Sequence, residues 1–331
     1  MVEVKIKILY LPNCYSQQRQ REKKANIYPV LMAMEAEKYR QEGHEVIWNP
    51  PILNKGKLAW DDTDKVITKP EGLPFLSLPH PDRVFTRAKE YTSGNYKYLP
   101  GTHLQAANGC FWGACRFCVE KGKPYEVRPV DDVIEEIEEC KTLGFKGVFD
   151  DSGTFPIGKW LNEFIIKKYD LCKGIKLGCN LRMVDVDYQS MKEAGFRMLL
   201  FGLESANQDT LDRINKGTRT SDVKYIIKAA EARLEPHIAF MVSYPWETDQ
   251  DAVRTLKLVH WLLRKGYAKT AQASFYNPPG GGGKESHRPY VKKVYDVWKY
   301  PDFWFNKLKD IKNVADLKYL WRQIKAGIWK Q

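Results

Sequence analysis

The sequence lacks any apolar run approaching the roughly 20 residues that a membrane-spanning helix requires. Its first segment, MVEVKIKILYLPNCYS, is too short and too charged for a secretory signal and reads as a strand. The expectation is a cytoplasmic protein without a membrane partner. Cysteine is sparse and odd in number, seven in 331 residues, which in a chain of this size argues against a disulfide framework. Low-complexity sequence is confined to Pro278-Pro279 and Gly280 to Gly283, a flexible loop or lid, because four glycines bring no side chain to pack. Negative charge is in deficit: 41 Asp and Glu against 53 Lys and Arg leave a net charge of +12.

Much of that surplus lies at the end of the chain. From Lys284 to Gln331 twelve basic residues face five acidic ones, interleaved with Trp298, Trp304, Trp321 and Trp329. Such a mixture can bind nucleic acid. The plainer expectation, and the one favoured, is a helical tail whose aromatics pack on the body while its lysines stay solvated. Elsewhere the composition is that of a globular protein, with 43% hydrophobic and 28% charged residues.

Hydrophobic periodicity divides the chain into three parts. Residues 4–9 read as a buried strand, 27–42 as a helix ending at Gly43, and 44–48 as a second strand, together one βαβ-like unit. Residues 49–101 hold Pro50, Pro51, Pro70, Pro74, Pro79, Pro81 and Pro100, a density that interrupts ladders and helices, so few strands are expected there. From about Thr102 a regular rhythm begins. Strands are expected at 104–108, 147–150, 175–180, 197–202, 236–242 and 272–275, and helices at 130–143, 160–171, 188–194, 209–214, 221–233 and 249–265. Thr248 and Asp251 form a capping pair at the start of the last helix. Six strand-then-helix steps imply an α/β fold with a parallel sheet, too short for eight strands. The expected architecture is an open six-stranded (β/α)6 partial TIM barrel over 102–283. A small, shortened Rossmann-like region (1–101) precedes it, and a basic, aromatic helical tail (284–331) follows.

Three cysteines fall within nine residues, in Gly109-Cys110-Phe111-Trp112-Gly113-Ala114-Cys115-Arg116-Phe117-Cys118. Three thiolates on one loop can hold three corners of a metal cluster. An iron–sulfur cluster normally takes four cysteines, so three leave one iron open to a non-protein ligand. A structural zinc ion wants four ligands, and a fourth would have to come from afar, from Cys179 or a histidine.

The loop resembles the cluster loop of radical S-adenosylmethionine (SAM) enzymes, in which an aromatic residue commonly precedes the last cysteine, as Phe117 does here. Four residues rather than the commoner three separate the first two cysteines, as in some subfamilies. Phe201-Gly202-Leu203-Glu204-Ser205 is similar to a strand end in the cobalamin-associated branch of that superfamily, and Ile214-Asn215-Lys216-Gly217 continues the likeness. Phe240 to Thr248 is similar to a later strand end, with Ser243 where glycine is common. The resemblance covers roughly residues 102–331.

It implies a [4Fe–4S] cluster on Cys110, Cys115 and Cys118, SAM on the fourth iron, and an electron donor such as a flavodoxin or ferredoxin. Reductive cleavage of SAM would give a 5′-deoxyadenosyl radical that abstracts hydrogen from an unidentified substrate. Asp150, Asp151 and Ser152 occupy the position of the motif that receives the SAM amine, although Asp and Ser also favour turns and caps. Arg182 can pair with the SAM carboxylate, beside Asn180. Glu204 ends an apolar strand, where a carboxylate is costly unless it has a partner, and is the leading SAM contact outside the cysteines. Ser205, Tyr244 and Phe117 complete the candidate set. No catalytic residue is assigned. The usual Asp-x-His-x-x-Gly cobalamin loop is absent. Cobalamin is therefore allowed but not favoured, and a cobalamin-dependent radical SAM methyltransferase is the alternative. A second alternative is a nucleic-acid-binding protein with a structural cluster.

Overall fold

A computed structural model describes residues 7–10, 28–48, 64–91, 97–171, 174–276 and 288–325. Cys14, Cys172, the glycine run at 280–283 and Trp329 lie outside them.

The first described elements are β1 (Lys7–Tyr10), α1 (Val30–Gln41), β2 (Glu45–Trp48) and β3 (Lys65–Ile67), with the three strands forming a parallel sheet in the order β2-β1-β3. The proline-rich stretch thus contributes a third parallel strand, contrary to the expectation of a two-stranded unit. Prolines flank β3 rather than interrupt it, so its ladder to β1 from Lys65 to Ile67 is intact.

The six-stranded sheet is built from β4 (Gly101–Leu104), β7 (Gly147–Asp150), β8 (Lys176–Leu181), β9 (Phe196–Glu204), β10 (Glu235–Val242) and β11 (Thr270–Phe275). Its order is β11-β10-β9-β8-β7-β4 and every neighbouring pair is parallel. Sequential order without reversal is that of an open (β/α)6 partial barrel. The strand expected at 104–108 divides in two. Leu104 ends β4, whereas β5 (Ala107–Asn108) leaves the sheet to pair antiparallel with β6 (Glu126–Val127). The cysteine loop is the excursion of that hairpin.

The connecting helices are α2 (Val130–Thr142), α3 (Lys159–Leu171), α4 (Tyr188–Glu193), α5 (Gln208–Arg213), α6 (Val223–Glu231) and α7 (Asp249–Lys265). Helix α2 buries Val130, Val133, Ile134, Ile137 and Cys140 on one face at helical spacing. Glu136 lies on the same face, fully buried, and is held by Arg83 and Arg128. Because a buried carboxylate needs such partners, this ion cluster ties the N-terminal region, through Arg83, to the barrel. Helix α7 opens with the expected reciprocal pair: the Asp251 N–H donates to Thr248 Oγ1 (3.2 Å) and the Thr248 N–H to Asp251 Oδ2 (3.0 Å). It ends at Gly266, whose φ of 78° suits glycine.

The chain then forms α8 (Arg288–Lys293), α9 (Pro301–Lys309) and α10 (Val314–Lys325). Helices α9 and α10 are attached to the N-terminal ends of the barrel strands, whereas Tyr290 of α8 faces Asp249 at the start of α7. Arg264 pairs with Asp302 (2.9 Å), Lys269 with Asp310 (2.9 Å), and Lys97 with Asp316 (2.6 Å). The described part of the tail is thus tied to the body, but Trp298, Tyr300, Phe305 and Trp321 remain exposed, contrary to the expectation that its aromatics pack there. No described helix is long and apolar enough to cross a membrane.

Candidate active site at the strand ends

The cysteine loop is fixed at its base by glycine. Gly109 has φ +80°, and a Cβ there would lie 2.3 Å from the Pro124 carbonyl oxygen, so no other residue fits without moving the backbone. Its far side is held by the segment after α5. The Trp112 indole N–H donates to the Asn215 carbonyl (2.8 Å), Asn215 Nδ2 donates to the Ala114 carbonyl (3.2 Å), and the Arg116 N–H donates to the Ile214 carbonyl (2.9 Å). A Cβ on Gly217 would stand 2.3 Å from the Trp112 ring. The Ile-Asn-Lys-Gly segment is thus the seat of the loop, a role not read from the sequence.

Within the loop Cys115 is buried, while Cys110 and Cys118 are half-exposed. Burial pushes the Cys118 thiol up, and negative charge on Cys115, Glu120 and Cys110 adds to it, against one N–H from Glu120 at 3.4 Å. Clustered thiolates of this kind are relieved by metal. Arg182 supplies nearby positive charge: its Nη1 lies 4.0 Å from Cys115 Sγ, its guanidinium lies 5.2 Å from the centre of the Trp112 ring, and Nη2 donates to the Lys216 carbonyl.

Lys216 continues the chain of contacts. Its ammonium pairs with Glu204 Oε1 at 2.7 Å, both side chains being nearly buried. Glu204 has φ +60°, and any Cβ on Gly202 would come within 2.7 Å of both charged groups, so that glycine leaves room for the pair. The Tyr244 hydroxyl donates to the Glu204 carbonyl (3.4 Å), and its ring lies against Trp246 and Tyr276. Burial raises the Tyr244 phenol well above its usual value. Phe117 packs on the edge of that aromatic group, with Lys216 Nζ 5.9 Å from its ring centre. Cys115, Arg182, Lys216, Glu204 and Tyr244 therefore form one continuous set at the C-terminal ends of β8, β9 and β10, where parallel sheets place their ligands. Lys216 was missed from sequence because nothing in a loop lysine foretells its partner.

Other candidates have local duties. Asp150 is buried and accepts N–H bonds from Ala106 (2.7 Å) and Ser152 (3.1 Å), and burial pushes its carboxyl up to about 7. Ser152 Oγ accepts from the Ala107 N–H (2.8 Å). Both side chains pin the β4–β5 corner, the turn role already open to them. Ser205 accepts from the Asn207 N–H (3.1 Å) and packs beside Thr255. Asp151 and Asn180 instead line a cavity of about 160 Å³ that runs inside the half-barrel. Asn180 Nδ2 donates to the Ser152 carbonyl (2.9 Å). The Asp151 carboxylate has no hydrogen-bonding partner among the described residues, and its enclosure within the barrel pushes it up to about 6 although solvent reaches it.

Four buried hydroxyls have no partner among the described residues, Tyr125 Oη, Thr154 Oγ1, Thr218 Oγ1 and Ser243 Oγ. Tyr125 lies near Cys110 and Asp150, and burial raises its phenol. Ser243 holds φ +74°, a conformation that favours glycine. Groups left unsatisfied at the rim of a site suit a polar ligand. Cys179, the distant zinc-ligand candidate, is fully buried in β8 with its thiol pushed up well above its usual range by burial. Among the described residues no three His, Cys, Asp or Glu side chains converge on a single metal ion.

Residues 104–259 match the family model of the radical SAM superfamily. Over that segment the chain is similar to radical SAM proteins. That family uses a [4Fe–4S] cluster and SAM as cofactors and needs a reductant, which is what the match implies for this segment. A protein of Methanocaldococcus jannaschii with a provisional methylthiotransferase designation is 30% identical over 234 residues, 64% of this chain and 50% of its own length. The bacteriochlorophyllide d C-8(2)-methyltransferase of Chlorobaculum tepidum is 29% identical over 157 residues, 43% of this chain and 34% of its own. The chain therefore spans half or less of these relatives. Among solved structures, the radical SAM methyltransferase TsrM of Kitasatospora setae, with cobalamin and cluster bound, aligns with a TM-score of 0.48 at 17% identity over 56% of this chain and 38% of that one. The donor set fits the implied cofactors: three thiols on a glycine-based loop, a cation beside them, and unsatisfied hydroxyls next to a cavity.

Proposed function

We propose that this chain abstracts hydrogen from a substrate held inside the half-barrel. Cys110, Cys115 and Cys118 would hold the cluster, and Arg182, Glu204, Tyr125 and Phe117 would bound the SAM site. The bound cluster and SAM together supply an electron and, by cleavage of the sulfonium C–S bond, a 5′-deoxyadenosyl radical. The protein's own residues position and enclose. Trp112, Asn215 and Gly217 fix the cysteine loop over the strand ends. Arg182 offsets thiolate charge, the Glu204–Lys216 pair presents a fixed carboxylate, and the Tyr244–Trp246–Tyr276 group excludes water from one wall. Asp151 and Asn180, in the cavity, contact the substrate or the SAM amine. The half-exposed side of the loop, with Val119 outermost, receives the electron donor, for which a flavodoxin or ferredoxin is suited.

The observation that carries this reading is the unbroken set of contacts from Cys115 through Arg182 and Lys216 to Glu204. Anaerobic reconstitution with iron and sulfide, followed by reduction with SAM, is expected to yield 5′-deoxyadenosine. An iron-free protein with stoichiometric zinc, or no product from the iron-loaded form, overturns it.

Cobalamin-dependent methyl transfer is the second reading, and the three-stranded parallel sheet of the N-terminal region is what favours it. Retention of about one equivalent of hydroxocobalamin after desalting, with S-adenosylhomocysteine formed, would decide for it. The described part of the basic tail docks on the barrel base through Asp302, Asp310 and Asp316, which accounts for its position without a nucleic-acid partner.

A further inference from the structure

The cavity inside the half-barrel does not end at the strand termini nearest the base. Lys97 and Tyr98 form part of its wall, and the same two residues line a second cavity of about 490 Å³ beneath the sheet. That basal cavity is enclosed by the N-terminal ends of β10 and β11, by α4 and the α6–β10 turn, and by α9 and α10. Six cations line it, Lys97, Lys192, Arg233, Lys269, Lys307 and Lys312, against three carboxylates.

The carboxylates are already committed. Glu235 holds Lys97 and Arg197, each at 2.7 Å. Asp310 holds Lys269 at 2.9 Å. Asp316 takes Lys97 at 2.6 Å through one oxygen and the N–H groups of Lys312 and Asn313 through the other. Lys192 has only a carbonyl acceptor, that of Arg233 at 2.8 Å, and neither Arg233 nor Lys312 has a carboxylate partner among the described residues. Burial and the neighbouring cations Lys176, Lys97 and Arg197 push the Lys192 ammonium down, against Glu235, and burial together with Lys269 and Lys97 pushes Lys307 down to about 8. Cations gathered in a cavity without enough counter-charge repel one another, and an anion placed among them removes that cost.

We infer that the basal cavity binds the phosphate-type anionic group of a small molecule whose remainder passes up the half-barrel toward Asp151 and Asn180. The part concerning the remainder rests on the proposed hydrogen abstraction inside the barrel; the anion site does not. Between the two ends the wall is mainly apolar, with Val148, Phe149, Leu177, Met198 and Leu200 beside the polar His103 and Gln272. From Lys176, at the base of the barrel cavity, to Asn180 the distance along β8 is about 13 Å at roughly 3.3 Å per residue, so the substrate carries its charge at least that far from the reacting carbon. An apolar chain ending in a phosphate monoester has the required form.

Calorimetry with inorganic phosphate and octyl phosphate at low ionic strength tests this on the reconstituted protein and on Cys110→Ala. One equivalent of each is expected to bind, octyl phosphate at least ~10-fold more tightly, because its tail leaves water for the apolar wall. Both should weaken ~10-fold in Lys192→Met and recover in Lys192→Arg, which separates lost charge from lost folding. Retention in Cys110→Ala would keep the anion site standing even if no 5′-deoxyadenosine forms. Absence of binding, or binding indifferent to Lys192→Met, overturns the site. Equal affinity for the two probes overturns its connection to the barrel interior. A short oligonucleotide binding more tightly than octyl phosphate, and equally sensitive to Lys192→Met, overturns the small-molecule class.

Discussion

At the C-terminal ends of β8 to β10 the charged side chains satisfy one another: Arg182 is spent on Trp112, a carbonyl and Cys115, and Lys216 on Glu204. At the N-terminal ends of the same strands the cations outnumber their partners, with Glu235 shared between Lys97 and Arg197. The first end leaves unsatisfied its thiols, the Asp151 carboxylate and several buried hydroxyls, as the proposed cluster and polar cofactor require. The second is short of negative charge, and so is organised for an anion. Both are built on the same parallel sheet, and the contrast lies in which side chains each end gathers.

The largest expected effect falls on the thiol end. Changing Cys110, Cys115 or Cys118 to Ala should abolish iron binding after anaerobic reconstitution, whereas Cys140→Ala, in the core of α2, should leave iron content unchanged while lowering stability. A chain in which all four variants behave alike would erase the distinction between loop and core cysteines.

Gly217→Ala comes next. The new methyl group has no room beside Trp112 and the backbone is at φ +67°, so the seat of the loop must shift. A loss of roughly 1–3 kcal/mol in urea unfolding is expected, together with reduced iron content. Trp112→Ala combined with Gly217→Ala should recover part of the stability, because the clash is removed, but not the iron.

A smaller effect is expected at the ion pair. Glu204→Gln keeps the shape but leaves Lys216 without its counter-charge, and SAM affinity measured by calorimetry should fall ~10-fold with iron content unchanged. Lys216→Met should do the same if the pair acts as a unit. Normal SAM binding in both variants would remove Glu204 from the site.

The smallest effect contrasts the two ends by pH. Glu235 at the base is buried, which raises its pKa, but Arg197 and Lys97 outweigh this and hold it at about 2. Its contribution is present above its ordinary value of 4.5 and is lost as pH falls toward 2. Asp150 at the other end is raised from 3.8 to about 7. The folded state then binds the extra proton, so its contribution is fully present below 3.8 and is lost as pH rises to 7. Thermal unfolding followed across this range should show Asp150→Asn flattening the fall between about pH 4 and 7. Glu235→Gln should flatten the rise between about pH 2 and 4. An unchanged profile in either variant means that carboxylate is not the titrating group.

The sequence by itself determined the strand–helix rhythm, because hydrophobic periodicity is a local property: β7 spans Gly147–Asp150 as expected, and α7 begins at its Thr248–Asp251 cap. It also determined the three-cysteine loop, since ligand spacing within nine residues survives any fold. The short β3 was hidden because three residues among prolines give too little alternation to register. Tertiary structure alone decided the rest. The division of the Asp150-Asp151-Ser152 motif is one example, with Asp150 and Ser152 spent on the β4–β5 corner while Asp151 faces the cavity. Lys216 is another, since a buried ion pair with Glu204 depends on where a loop twelve residues later returns. The basal cavity is the clearest case. Its cations come from Lys97 to Lys312, and charges so far apart in sequence acquire a common field only when the sheet and the C-terminal helices bring them within a Debye length of one another.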